Sequence, residues 1–145
     1  MGSGCVMQGT YVLFLEAKKA VEPDVGRLGR VRVGKGLYAY VGSAMGRSVN
    51  LDNRVKRHQE LASRKKGNKQ WHIDYITTAA GVSVTGVARI VGKDIECEAA
   101  SLLEKSGGRA VAKGLGSSDC KCSAHFFSIT EAAAEKFLRQ LPDLF

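Results

Sequence analysis

The chain has 145 residues, 44% of them hydrophobic, with two prolines and four cysteines. That is the composition of one ordinary globular domain, long enough to bury a core without disulfides or metal, and it contains no apolar run near the roughly 20 residues of a membrane span and no signal-peptide pattern. A net charge of +8 and an isoelectric point of about 9.5 predict attraction to a polyanion, nucleic acid first, in a cytoplasmic protein with no membrane partner.

Residues 1–8 read as a disordered or tag-like start, leaving 9–145 as the domain. Gly9 to Glu16, apolar on both faces, predicts a strand in the middle of a sheet, with Tyr11 near its beginning. Residues 18–27, with Pro23 and Gly26, read as a loop before an edge strand around Leu28 to Val33. Gly34-Lys-Gly36 then signals a hairpin into Leu37 to Val41, where alternation puts Tyr38 and Tyr40 on one face. Gly42 to Gly46 permits a tight turn, and Ser48 or Asn50 can cap a helix from about Leu51. Leu51, Val55, His58 and Ala62 form its apolar stripe, with Arg54 at the margin one turn from His58. The helix runs out in the basic segment Arg64-Lys-Lys66, stopped by Gly67.

Trp71 to Thr77 alternates, which predicts a half-buried strand with His72 and Asp74 on one face and Val82 to Val91 as its hairpin partner. Asp94 is expected to cap a helix running to about Lys105 and stopped by Gly107-Gly108, with Glu96 and Glu98 at the two edges of its apolar stripe. A turn-rich segment, Gly114 to His125, leads into Phe126-Phe127. Ser128 and Glu131 suggest a capping box for a last helix that Pro142 ends. The expected fold is α+β, a single domain with a small, mostly antiparallel central sheet flanked by helices.

Gly9-Thr-Tyr11 on one strand, Tyr40-Val-Gly42 on a neighbour, Arg54-x-x-x-His58 on the next helix and a later helical glutamate resemble the GIY-YIG nuclease superfamily. Gly36-Leu-Tyr-Ala-Tyr-Val-Gly-Ser-Ala44, Trp71-His-Ile-Asp-Tyr75, Glu96-Cys-Glu98 and Gly116-Ser-Ser-Asp-Cys-x-Cys122 resemble, more narrowly, its prokaryotic branch known as domain of unknown function 123. The chain departs from the usual two-strand motif in one respect: residues 12–39 separate Tyr11 from Tyr40, which implies an inserted loop and edge strand.

The resemblance implies a metal-dependent endonuclease that hydrolyses DNA phosphodiester bonds in repair or recombination. Such hydrolysis needs an activated water and compensation of charge on the phosphoryl oxygens. Glu98 is the expected ligand of one Mg²⁺ or Mn²⁺, with Glu96 the alternative, and Arg54 would bind two phosphate oxygens with its planar fork. Tyr11 would take or relay the proton of the attacking water, Tyr40 would orient water or phosphate, and His58 would position phosphate or shuttle a proton. Tyr38 can stand in for Tyr40, and Gly42 and Ser43 lie at the turn beside it. Buried strand tyrosines and a histidine in an apolar stripe are also what a plain core would contain.

His72 and Asp74 would reach the site, hold a second metal or form a structural pair. Ser118 and Asp119 lie where such nucleases often carry a late polar residue. Cys97, Cys120, Cys122 and His125 are zinc-type ligands, but CxC is a weak zinc spacing, so zinc is not expected. Lys56, Arg57, Arg64, Lys65, Lys66 and Lys69 would supply phosphate contacts, with strong salt dependence and little base specificity. Two other readings compete: a non-catalytic nucleic-acid-binding module of the same fold, and a zinc-stabilised interaction protein.

Overall fold

A strand that is apolar on both faces must be covered on both, and the first strand organises the whole domain in that way. In the computed structural model, which describes residues 8–45, 50–69, 71–112 and 124–144, β1 (Gly9–Ala17) lies between β2 (Gly36–Ala44) and β3 (Val82–Val91), antiparallel to both. The short strands β4 (Arg109–Ala110) and β5 (Phe126–Ile129) complete a five-stranded sheet in the order β3-β1-β2-β5-β4. All its pairings are antiparallel.

Among the described residues four α-helices flank the sheet. Helix α1 (Leu51–Arg64) and the short α2 (His72–Thr77) cover one face, where Leu51, Val55, Ile73 and Ile76 pack on Tyr11, Leu13, Leu15, Tyr38 and Tyr40. Helices α3 (Glu96–Lys105) and α4 (Glu131–Gln140) cover the other, where Ala99, Leu103, Ala133 and Phe137 pack on Val12, Ala39 and Val41. Each fully buried Leu or Phe contributes about 1.5–3 kcal/mol. The result is the expected α+β single domain. Among the described residues no helix is long and apolar enough to cross a membrane.

Several local expectations are corrected. Residues 72–77 form a helix and not a strand. Asp74 Oδ2 accepts a hydrogen bond from the Trp71 backbone N–H at 3.0 Å, which satisfies an orphan donor of the first turn, while Ile73, Ile76 and Thr77 turn inward at helical spacing. His72 and Asp74 therefore do not share a face. β3 forms no hairpin with residues 72–77; its antiparallel partner is β1, whose second edge needs pairing.

The stretch Leu28 to Val33 forms no ladder. A 3-10 turn at Gly26–Leu28 and left-handed Gly26 and Gly29 leave only isolated bridges, Val21 to Val33 and Asp24 to Arg30. Even so, Val25, Val31 and Val33 are buried, so the insertion between Tyr11 and Tyr40 closes the end of the first core layer.

Cap positions also shift. Asn50 caps α1, accepting from the N–H of Asp52 and Asn53. Left-handed Lys65, at φ 62°, ends α1 ahead of Gly67. Ile95, not Asp94, precedes α3, and Thr130, not Ser128, caps α4 because Ser128 is held in β5.

Candidate active site

The register of β1 and β2 sets Tyr11 opposite Gly42 and Leu13 opposite Tyr40, so both phenols project from the face that α1 covers. Gly42 is required by the packing: a Cβ there would lie 2.5 Å from the Tyr11 ring and its hydroxyl. The apolar stripe of α1 drops His58 onto this surface, where Nε2 lies 2.7 Å from the Tyr11 hydroxyl. The rings of Tyr40 and Tyr11 are 6.3 Å apart, and Tyr40 is 6.1 Å from the His58 ring.

Asp74 lies behind His58. Its Oδ1 is 3.7 Å from His58 Nδ1, and Arg57 holds the carboxylate with two donors, Nη1 to Oδ1 at 3.2 Å and Nη2 to Oδ2 at 2.9 Å. Both His58 and Asp74 have no exposed surface, and Tyr11 has 2%. A charged carboxylate at that depth needs its cation and its backbone donor.

Arg54, half-buried at the margin of the stripe, donates to the Ser43 carbonyl at 2.7 Å. Its guanidinium and that of Arg57 lie 4.6 and 4.7 Å from the centre of the Trp71 ring. Trp71 is a site residue that sequence reasoning missed. The available signal was the chain's one tryptophan, placed between a basic run and an acid.

Burial sets the titration of this cluster. It pushes the Tyr11 phenol well above its usual range, Tyr40, Glu96 and Asp74 push the same way, and Arg54 opposes them. Burial also lowers the His58 imidazole from 6.5 to about 4, with Arg57 and Arg54 adding to the effect and Asp74 opposing it. His58 is therefore neutral at pH 7, with one ring nitrogen free of a proton.

The two glutamates in the first turn of α3 face different surroundings. Glu96, half-buried, lies 3.7 Å from His125 Nδ1 and is close enough for its charge to act on Tyr11. Glu98 is exposed and lines a shallow hollow with Cys97, Ser101, Lys105 and Leu144. Tyr38 shares the face of Tyr40, but its hydroxyl is committed to the Gly34 carbonyl at 2.6 Å and its ring stacks on Phe126. His72 is half-buried at the start of α2. His125 is buried, and burial lowers its pKa. Ser118, Asp119, Cys120 and Cys122 lie outside the described residues, among which no group of three metal-type ligands occurs.

Beside the site, Lys56, Arg57, Arg64 and Lys66 line a groove of about 330 Å³ along α1, with Glu60 among them. Lys56, Arg64, Lys66 and Lys69 are exposed. Arg57 is committed to Asp74 and to the Asn68 carbonyl. Lys65 turns inward, its Nζ donating to the carbonyls of Thr77, Ala79 and Val82.

The fold and this cluster define a small α+β protein with a buried tyrosine, histidine and aspartate array under a basic helix. The profile of the family described as domain of unknown function DUF123 matches residues 10–144, and the chain belongs to that family. No curated protein and no solved structure matched it.

Proposed function

We propose that the protein is a divalent-metal-dependent endonuclease of the GIY-YIG type that hydrolyses DNA phosphodiester bonds. The observation that carries this reading is the Tyr11 hydroxyl set 2.7 Å from Nε2 of a neutral His58, with Tyr40 and Arg54 beside the same pair. A phenol near pKa 10 is a poor base unless its proton has somewhere to go. Here Tyr11 passes its proton to His58 Nε2 as it takes one from the attacking water. Arg54, steadied by Trp71 and the Ser43 carbonyl, meets the phosphoryl oxygens.

Glu96 is the carboxylate we assign to Mg²⁺ or Mn²⁺, because it combines partial burial with electrostatic reach to Tyr11. One carboxylate with water and a phosphate oxygen is a normal set for Mg²⁺, and the bound ion would compensate charge on the phosphate. Glu98 faces a different hollow.

The test is cleavage of end-labelled duplex, single-stranded and branched DNA in Mg²⁺ or Mn²⁺. Cutting should vanish with EDTA and with Glu96→Ala, and survive Glu98→Ala. The burial of Tyr11, 2% exposed, favours a second reading, a non-catalytic nucleic-acid-binding module. Salt-sensitive binding without cutting on any substrate would establish it.

A further inference from the structure

We propose that Asp74 is the positioning residue of His58: it holds the imidazole proton on Nδ1 so that Nε2 stays an acceptor for the Tyr11 hydroxyl. The catalytic consequence rests on the hydrolytic reading; the placement of the proton does not.

The geometry discriminates between the two neutral forms of His58. With the proton on Nδ1, the N–H has the Asp74 Oδ1 oxygen 3.7 Å from its nitrogen, and Nε2 accepts from Tyr11 at 2.7 Å. With the proton on Nε2, the Nδ1 lone pair would face a buried carboxylate oxygen, and Nε2 could only donate to Tyr11. Among the described residues Nδ1 has no hydrogen-bond partner, so nothing there competes with Asp74 for it. Contacts of this kind are often long before substrate binds and tighten in the complex.

Burial is the main reason that His58 stays neutral beside Asp74, and Arg57, which places two donors on the carboxylate, adds to it. The charged and titratable groups facing His58 are Tyr11 from β1, Tyr40 from β2, Arg54 and Arg57 from α1, and Asp74 from α2. Asp74 is the one anion among them.

Asp74→Asn separates positioning from structure. The Trp71 N–H and Arg57 Nη2 both donate to Oδ2, so an asparagine oxygen belongs there and its NH₂ falls at the Oδ1 place, facing His58. The cap of α2 and one Arg57 contact are kept, while the proton on His58 must move to Nε2. Exchanging a tautomer-setting carboxylate for an amide is known to cripple histidine bases.

The experiment is ¹⁵N NMR of the His58 ring in the intact protein at pH 7, with no DNA or metal. Wild type should be mainly the Nδ1–H form and Asp74→Asn mainly Nε2–H. Arg57→Gln should keep Nδ1–H and raise the His58 midpoint by about one pH unit. The same tautomer in wild type and Asp74→Asn, with both folded, overturns the proposal, as does an unchanged midpoint in Arg57→Gln. If the protein cuts DNA, Asp74→Asn should lower kcat by about 10²–10⁴-fold with DNA affinity unchanged. If it does not cut, the hydrolytic reading falls and the NMR result still decides Asp74.

Discussion

Gly42 and Tyr11 share one volume, since a side chain at the first would occupy the ring of the second. Gly42→Ala should therefore destabilise the domain by about 1–3 kcal/mol, read as a lower urea midpoint at constant slope, and should shift Tyr11 away from His58. His58 makes a pH-dependent contribution. Its folded pKa of about 4 lies below the ordinary 6.5, so between these values the unfolded chain binds the proton more readily. The stability is full above pH 6.5 and is lost as pH falls toward 4, by at most about 3 kcal/mol. Urea unfolding from pH 4 to 7 should show that loss in wild type and a flatter profile in His58→Gln. The stripe of α1 made His58 legible in the sequence, because helical period is local. The different surroundings of Glu96 and Glu98 were not legible, since both border the same stripe and only tertiary packing sets Glu96 beside His125 and Glu98 in another hollow.

At the scale of elements, the strands β1 and β2 and the helices α1, α3 and α4 could be read from periodicity, and their exact ends could not. Residues 71–77 show why a short alternating run misleads. Over so few residues periods of 2 and 3.6 share most positions, and the Asp74 bond to the Trp71 N–H tips the balance to helix. Lys65 looked like one more cation in a basic run, yet its Nζ turns onto three carbonyls, from the end of α2 at Thr77 through Ala79 to the start of β3 at Val82. Lys65→Met should cost about 1–3 kcal/mol, because those carbonyls lose a charged donor. Thermal unfolding would measure the loss, and nucleic-acid affinity should change little.

For the whole molecule, part of the positive charge is expressed along α1 and the segment after it, where Lys56, Arg64, Lys66 and Lys69 are exposed, and part on the loop between β1 and β2, where Lys18, Lys19, Arg27, Arg30, Arg32 and Lys35 are exposed. Removing Lys56 or Lys66 should lower the slope of log affinity against log salt by about one per residue on any DNA sequence. Titrations at several salt concentrations would check this, and Lys65→Met should leave the slope alone. Composition and periodicity were enough to read an α+β domain, the two tyrosine strands, the histidine stripe and the basic helix, because each depends on neighbours within a few residues. Long-range packing assigned the rest: β3 against β1, Arg57 onto Asp74, Asp74 beside His58, Trp71 against both arginines, and Glu96 beside His125. Those contacts join elements on different strands and helices, and burial forces each charge there to find a partner that no local pattern names.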